Sequence, residues 1–453
     1  MSAPTPTQPD ILWIITTQWR AQALSCNGDT NARTPALEAL AARSINYVEA
    51  VTPHPFGPFA RAALLTGIAS PANGVCDYYD PLPRGTRTIA HELNEVGYDT
   101  AYIGKWHLSA RDPKAPLVGE THARQFVSPE DRGGFSYWEG FEGGFLLNDP
   151  WLQGNDLPEP RQFPGYQSEV LCDRLLHWLG IRSQTTNTQP LAPLIQTEQT
   201  PQAAAELPVQ APGFSKQTGT KPWFAVLSLE TPHPPYAAPA GDCQPPKPDS
   251  LKLRANVPLG GETEAQARRE LAGYYAHIEA TDRALGRLLS QPGLRDTLIV
   301  FSSVHGDMHG SHGLFRKGWP HEECLRIPLI VRLPRGLRRF QLAVSSADLV
   351  SLLDLHAWTR RWAGIQNGTT PHPQRLLQAC SMPSIVRLPH QCDRTWTVLR
   401  TREGKLVLNA DGSPWLYFDL ITDPLEQHNL AGDPAQAERI AAFKAAATEV
   451  AQK

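Results

Sequence analysis

Apolar residues in this chain form short continuous runs instead of alternating with polar residues. The run at 10–16 reads Asp-Ile-Leu-Trp-Ile-Ile-Thr, with five consecutive apolar positions. This pattern is typical of a strand that is buried on both faces. We predict further strands of the same kind at 99–103, 223–229, 297–303 and 328–331.

The segments between these runs have helical periodicity. A Thr-Pro pair at the start of 34–43 predicts a helix there, with the threonine as N-cap. A second predicted helix spans 61–66 and is closed by Gly67. The longest helix is predicted at 262–291, where apolar residues recur at helical spacing: Leu271, Tyr274, Ile278, Leu285 and Leu288.

Strands that alternate with helices predict an α/β fold, in which a mostly parallel central sheet is flanked by helices on both faces. Ligands of such sheets bind beyond the carboxyl ends of the strands. Several polar or unusual residues lie at or just past the end of a predicted strand, and we expect them to share one edge of the sheet: Thr17, Gln18, Lys105, His233, Val304 and His305.

Two regions depart from this pattern. The stretch 183–220 is rich in Gln, Thr, Pro and Ala without apolar periodicity, which predicts an exposed, disordered insertion. The last part of the chain has short strand-like runs at 396–401, 405–409 and 415–418, with an Asp-Gly turn signal, before a closing helix at 434–452. We therefore predict an α/β domain over 1–370 and a small C-terminal subdomain of antiparallel strands and a helix over 371–453.

Composition limits the classes of partner. The chain has 453 residues and a net charge of −3, which gives no reason to expect nucleic acid or an anionic membrane as partner. No apolar run is long enough to span a membrane, and the first residues lack the basic and apolar segments of a signal peptide. Seven scattered cysteines without a Cys-x-x-Cys pair indicate reduced thiols. These features predict a cytoplasmic protein.

The segment from His54 to Gly67 reads His-Pro-Phe-Gly-Pro-Phe-Ala-Arg-Ala-Ala-Leu-Leu-Thr-Gly. It resembles the signature of the sulfatase and phosphonate monoester hydrolase family, within the alkaline phosphatase superfamily. In that family a Cys or Ser four residues before the arginine is oxidised to formylglycine and acts as the nucleophile. Here the arginine is Arg61 and the nucleophile position is Gly57, which has no side chain to oxidise. The resemblance therefore implies a hydrolase fold without its usual nucleophile.

Other blocks resemble the same family in the same order along the chain, from about 10 to about 433. They are Thr-Thr-Gln-Trp-Arg at 16–20, Gly-Lys-Trp-His-Leu at 104–108, Pro-His-Pro-Pro at 232–235, Ser-Ser-Val-His-Gly-Asp at 302–307, Gly-Leu-Phe-Arg-Lys-Gly at 313–318 and Leu-Tyr-Phe-Asp at 416–419. The resemblance implies the family's parallel-sheet domain and its small C-terminal subdomain.

The family's metal site is degenerate in this chain. The family would use formylglycine together with calcium, or with manganese or magnesium, held mainly by carboxylates. The corresponding positions here are Thr17, Gln18, Val304 and His305, so both carboxylates are missing. Neutral ligands alone do not offset the dehydration of a hard divalent cation. We expect no metal and no cofactor.

The basic side of the same site is complete. The resemblance assigns to the surroundings of the nucleophile and of the sulfuryl oxygens five residues: Arg61, Lys105, His107, His233 and Lys317. Buried charges are rarely retained without a partner, so we expect this group to bind an anion. We also expect the two histidines to gain charge as the pH falls through the usual histidine range. The alternative is that these residues are inherited and now only hold loops.

These features predict a sulfatase-like pseudoenzyme with a basic anion-binding pocket. Its partner would be a small anionic ligand, a sulfate or phosphate ester, or an active homologue in a homo- or hetero-oligomer, with no nucleic acid and no membrane. The alternative is an active hydrolase of sulfuric esters, or of phosphonate or phosphodiester substrates, that uses an unrecognised nucleophile or an activated water.

Overall fold

The computed structural model describes residues 8–185, 221–337, 344–365, 377–381, 391–392 and 394–451. The strands in these residues are β1 Ile11–Thr16, β2 Ile45–Tyr47, β3 Ala50–Val51, β4 Asp99–Lys105, β5 Tyr137–Phe141, β6 Trp151–Gly154, β7 Arg161–Gln162, β8 Trp223–Ser228, β9 Leu298–Ser303, β10 Leu329–Arg332, β11 Val344–Ser346, β12 Val350–Ser351, β13 Leu377–Ser381, β14 Trp396–Arg400, β15 Gly404–Asn409 and β16 Pro414–Asp419. The α-helices are α1 Pro35–Ala41, α2 Gly57–Thr66, α3 Ile89–Glu95, α4 Glu120–Ala123, α5 Gln167–Thr185, α6 Glu262–Leu289, α7 Glu322–Leu325, α8 Asp354–Trp362 and α9 Ala437–Ala451.

Ten strands form the central sheet, in the order β11-β2-β10-β9-β1-β8-β4-β5-β6-β7. Strand β1 lies in the middle and pairs in parallel with both β8 and β9. Strand β4 continues the parallel part beside β8, whereas β10 runs antiparallel to β9. The α/β class predicted from the alternation of strands and helices is confirmed, with antiparallel strands at the margins of a parallel centre.

Helices cover both faces of this sheet, which explains the uninterrupted apolar run of β1. Leu12 and Ile14 join the core under α1, α5 and α6. Trp13 and Ile15 join the core on the opposite face, under α2, α3 and α8. Because successive side chains of a strand point to opposite faces, a strand between two helical layers has no position for a solvated polar residue.

The five predicted core strands are all present, with ends within two residues of the prediction. The prediction of a helix at 61–66 is wrong at its start, because α2 begins at Gly57. Phe56 is extended and serves as the N-cap, and Pro58 occupies the first turn, where a residue without an N–H is tolerated. Gly57, which the resemblance places at the nucleophile position, is therefore the first residue of the helix.

The C-terminal subdomain contains an antiparallel sheet in the order β13-β14-β15-β16, followed by α9. Strands β14, β15 and β16 match the three predicted runs, whereas β13 was not predicted. Its predicted boundary after residue 370 lies outside the described residues. The insertion predicted at 183–220 is wrong for its first three residues, which belong to α5. The rest of that stretch lies outside the described residues.

Two simple observations complete the fold. Five cysteines of the described residues are free thiols: Cys26, Cys76, Cys172, Cys243 and Cys324. Among the described residues, no helix combines the length and the apolar character that crossing a bilayer requires.

Candidate functional site

The register of the central strands brings the predicted site residues to one edge of the sheet. Thr16 is paired with Ser303 in β9, so the residues after β1 and after β9 leave the sheet side by side. Gly104 of β4 is paired with Ser228 of β8 in the same way. The predicted anion-binding residues and the residues at the family's metal positions are all buried at this edge: Thr17, Gln18, Arg61, Lys105, His107, His233, Val304, His305 and Lys317.

Helix α2 presents Arg61 to this edge, one turn after Gly57. The Arg61 guanidinium donates to the Ser228 hydroxyl and, over 2.9 Å, to Thr17 Oγ1. A longer contact of 3.5 Å joins its Nη1 to the Tyr102 hydroxyl. These partners are all uncharged, and Arg61 Nε is buried without a hydrogen-bond partner. The guanidinium is thus held in place but not neutralised.

Lys105 has a counter-ion. Its Nζ lies 2.5 Å from Glu230 Oε1, and both side chains are buried, with at most 1% exposure. Burial lowers the pKa of Lys105, and the charge of Glu230 opposes that shift. Phe145 covers this pair, because its ring lies 4.9 Å from Lys105 Nζ and stacks on His233 at a centroid distance of 4.4 Å.

Lys317 has polar partners but no carboxylate within ion-pair distance among the described residues. Its Nζ lies 2.8 Å from Gln18 Oε1 and 2.9 Å from His233 Nε2. Burial, and then the charge of Lys105, lowers the pKa of Lys317 to about 7. The ammonium is therefore poised between its charged and neutral forms near neutral pH.

The expectation that the two histidines gain charge near their usual pKa is wrong. Burial, followed by the charge of Arg111, lowers the pKa of His107 well below 6.5. Burial, followed by the charge of Lys317, does the same for His233. Both rings stay neutral near neutral pH because an imidazolium would be buried beside existing cations. Within the predicted basic group, Lys317 has a pKa near neutral pH.

Gly57 and His107 meet at the start of α2. A Cβ atom built on Gly57 would lie 2.9 Å from His107 Nδ1, closer than real Cβ atoms approach. Arg111 holds the other side of the ring, with its Nη1 2.6 Å from His107 Nε2. His107 Nδ1 is buried without a hydrogen-bond partner. The imidazole therefore occupies the space into which a side chain at position 57 would extend.

The four metal positions do not fit a divalent cation. Val304 offers no ligand atom, and the Thr17 hydroxyl donates to Leu229 O while it accepts from Arg61. The Gln18 carbonyl, which would be a ligand, accepts from the ammonium of Lys317. A cation at this place would replace an existing positive charge with little carboxylate support.

One carboxylate of the site, Asp307, was not predicted from the sequence as a site residue. Asp307 accepts from the Gln18 amide, from the Tyr236 hydroxyl at 2.6 Å and from the backbone N–H of His309 at 3.1 Å. Burial opposes its ionisation, but the neighbouring charges of His309 and Arg316 leave its pKa below the usual value. The sequence contained a signal for this residue, since Asp307 belongs to the family block at 302–307. However, its position in that block does not show that the Gln18 side chain hydrogen-bonds to it.

Two other contributors were missed because their partners are distant in sequence. Glu230 neutralises Lys105 from the loop after β8. Arg111 anchors His107 and also approaches Glu142, with Nε 3.3 Å from Oε1. Burial raises the pKa of Glu142 to about 7. The basic group is thus set among acidic residues, and Arg61 and Lys317 are its cationic members without an ion-pair partner in the described residues.

A second polar cluster lies beside α7. His312, Glu323 and Glu426 place ligand-type atoms within 4.8 Å of one another. Both carboxylates already have cationic partners, since Arg254 Nε lies 2.9 Å from Glu323 and Lys405 contacts Glu426. The cluster is electrostatically balanced without a metal, and we assign it to the packing of the C-terminal subdomain.

Comparisons with known proteins agree with this architecture. The family model described as Sulfatase matches residues 9–365. The chain is similar to an ulvan-active sulfatase of Formosa agariphila, with 32% identity over 459 residues that cover 95% of this chain and 78% of that protein.

Solved structures show the same fold at lower identity. One, with a TM-score of 0.73 and 19% identity over 98% of both chains, is a protein in complex with its substrate D-glucosamine-2-N,6-O-disulfate. Another is the phosphonate monoester hydrolase of Agrobacterium radiobacter, with a TM-score of 0.68 and 20% identity, covering 98% of this chain and 95% of that one.

Proposed function

Because the chain belongs to the sulfatase family, we propose that it is a sulfatase-like pseudoenzyme that has kept the family's oxyanion pocket. Its nucleophile and metal carboxylates are missing, and the pocket binds the anionic group of a sulfated or phosphorylated small molecule. Such binding serves either ligand recognition or the partnership with an active homologue. If the chain were active, the relatives would point to hydrolysis of a sulfuric ester.

The observation that carries this proposal is a set of buried donors without acceptors. Arg61 Nε and His107 Nδ1 are both buried and have no hydrogen-bond partner. Beside them, Lys317 lacks a carboxylate partner within the described residues and donates only to neutral groups. Buried unpaired donors and charges are unfavourable, and an oxyanion among them would satisfy all three.

The alternative of an activated water meets a chemical obstacle at His107. A guanidinium can only donate, so His107 Nε2 accepts from Arg111 and the proton of the neutral ring lies on Nδ1. A general base next to Gly57 would need a lone pair there. The nitrogen that faces the vacant nucleophile position is therefore a donor, which supports binding and not proton abstraction.

The proposal includes no metal and no formylglycine. Gly57 cannot be oxidised, and the residues at the metal positions do not fit a divalent ion. Elemental analysis of the isolated protein is expected to find less than one calcium, magnesium or manganese ion per chain. About one tightly held ion per chain, lost on mutation of Gln18 and His305, would contradict this part of the proposal.

The test of the proposed function is direct measurement of oxyanion binding. Sulfate, phosphate and an aryl sulfate are expected to bind the wild type with millimolar to micromolar affinity in calorimetry. Each charge-assisted hydrogen bond is worth about 1.5–3 kcal/mol before desolvation. Lys105→Ala/Lys317→Ala removes the Lys317 donor and leaves the charge of Glu230 unpaired, so binding should weaken by about a hundredfold or more. Lys247→Ala/Lys252→Ala removes two exposed lysines and serves as the matched control.

Turnover assays with aryl sulfate, phosphate diester and phosphonate monoester, each with added calcium or manganese, should be negative. Metal-dependent turnover would favour the active hydrolase. An equal response of the double mutant and the wild type to the anions would show that the basic group is an inherited remnant.

Restoring a nucleophile precursor alone is expected to fail. In Gly57→Cys, the new Cβ would approach His107 Nδ1 to 2.9 Å, so the ring must move against its Arg111 hydrogen bond. No bound metal would assist the chemistry at this position. We expect no measurable aryl sulfate hydrolysis and a lowered melting temperature, measured by thermal denaturation. Substantial activity of this single variant would show that the degenerate metal positions suffice.

A further inference from the structure

The partners of three buried histidines determine where their ring protons lie. A backbone carbonyl can only accept, so His233 Nδ1, 2.7 Å from Pro234 O, carries the proton and Nε2 accepts from Lys317. His305 Nδ1 lies 2.8 Å from Gly306 O and is protonated for the same reason. His107 is the opposite case, because Arg111 donates to its Nε2.

His305 therefore carries a lone pair on Nε2. This nitrogen is buried and has no hydrogen-bond partner. The ring lies at the same edge of the sheet, because His305 follows β9 as Gln18 follows the neighbouring strand β1, and both side chains are buried. Burial lowers the pKa of this ring well below 6.5. Nearby carboxylates are already satisfied: Asp307 by Gln18 and Tyr236, and Glu230 by Lys105.

Among the predicted site residues, the buried groups that remain available to a ligand are three donors and one acceptor. The donors are the ammonium of Lys317, Arg61 Nε–H and His107 Nδ1–H, and the acceptor is His305 Nε2. A sulfate or sulfate ester has only acceptor oxygens near neutral pH, so it would leave the His305 lone pair facing an oxygen lone pair. A phosphate group that keeps one acidic proton can donate to His305 and accept from the three donors.

We propose, on the basis of the oxyanion binding proposed above, that this pocket selects a protonated phosphate group over a sulfate group, with His305 as the selecting residue. The ligand is either inorganic phosphate or the monoanion of a small phosphate ester. His305 acts here by accepting the proton-bearing P–OH group, and no bond is formed or broken.

A matched pair of ligands tests the selection at a single pH. At about pH 5, below the second pKa of about 6 of a phosphate monoester, phenyl phosphate is mostly a monoanion with one P–OH. Phenyl sulfate is also a monoanion at this pH, has the same ring and nearly the same size, and lacks the proton. Inorganic phosphate and sulfate are measured beside them, all in the presence of EDTA, by calorimetry on the full chain.

We expect phenyl phosphate to bind the wild type about tenfold or more tighter than phenyl sulfate, the equivalent of one buried hydrogen bond. In His305→Leu, which keeps a similar volume without the acceptor, the two affinities should agree within about threefold. The wild-type comparison stands even if this variant does not fold. Binding of inorganic phosphate without binding of phenyl phosphate would support the proposal with the free ion as ligand.

Equal binding of the two phenyl esters by the wild type, or tighter binding of phenyl sulfate, would overturn the selection by His305 while leaving the oxyanion pocket intact. An unchanged preference in a folded His305→Leu protein would overturn it as well. Absence of binding by all four anions would instead refute the oxyanion pocket itself, and with it the basis of this inference.

Discussion

Lys317→Met is expected to make the protein more stable and unable to bind oxyanions. The pKa of Lys317 is lowered by burial from 10.5 to about 7, so its charge in the folded state costs free energy. At about 1.36 kcal/mol per pKa unit, the free-energy cost of the buried charge is at most ~4–5 kcal/mol. Methionine also loses the hydrogen bonds to Gln18 and His233, which offsets part of the gain. We expect a net stabilisation of about 1–3 kcal/mol at pH 6.

The pH dependence of this effect has a definite sign. Between pH 7 and 10.5 the unfolded chain binds the Lys317 proton and the folded chain does not, so wild-type stability rises with pH across this window. The advantage of Lys317→Met should therefore be largest below pH 7 and shrink toward pH 9. Urea unfolding of both proteins at about pH 6 and pH 9, without oxyanions, measures it. A difference that is the same at both pH values would contradict the buried, titrating ammonium.

Saturating oxyanions should make the wild type more stable than Lys317→Met, the reverse of the order expected without them. Saturating phosphate or sulfate stabilises only a protein that binds it, so the wild type should gain melting temperature and Lys317→Met should not. Binding by the wild type should tighten as the pH falls through about 7, because Lys317 then becomes charged. A residue that destabilises the fold but is needed for binding is the pattern expected of a functional site.

Glu230→Gln is expected to lower the stability of the protein and to raise its affinity for oxyanions, which is the opposite of the effects expected for Lys317→Met. The substitution keeps the shape of the side chain but leaves Lys105 buried without its counter-ion. Breaking a buried pair by removing one partner costs about 3–5 kcal/mol, and we expect a loss of this order in urea unfolding. The freed ammonium should raise oxyanion affinity by about tenfold, since one more charge-assisted hydrogen bond becomes available.

Two variants serve as controls for this prediction. Glu230→Gln/Lys105→Met removes both charges and should recover most of the lost stability without the gain in affinity. Glu95→Gln removes a carboxylate from the exposed Arg87 pair and should have little effect on either measurement. A Glu230→Gln protein with wild-type stability and wild-type affinity would show that Lys105 is neutralised by other means.

The layered fold and the membership of the site were predictable from local sequence. The uninterrupted apolar run at 11–15 implies a strand covered on both faces, because every one of its side chains is apolar and needs to be buried. Parallel strands bring their carboxyl ends to one edge, so the sequence predicts that Gln18, Lys105 and His305 lie close together. The differences from the family's motifs at Thr17, Gly57 and Val304 were equally evident from the sequence.

The start of α2 at Gly57 could not be predicted from the sequence. A Gly-Pro pair with no polar N-cap reads as a loop, since N-caps are usually Ser, Thr, Asp or Asn. Packing of Phe56 and Phe59 into the core under the sheet pins this helix end instead. The tertiary contacts thereby decide that residue 57 is the first residue of a helix.

The charges of the site residues and the positions of their ring protons were decided only by the tertiary structure. Sequence alone identified a group of cations, but not that Glu230 neutralises one of them while Lys317 has neutral partners. It also could not assign the ring protons, which depend on contacts such as those of His107 with Arg111 and of His305 with Gly306 O. Residue types and their order determine which groups can meet. Burial and the partner at a few ångströms determine their charge and which nitrogen donates, because desolvation and hydrogen bonding act through space and not along the chain.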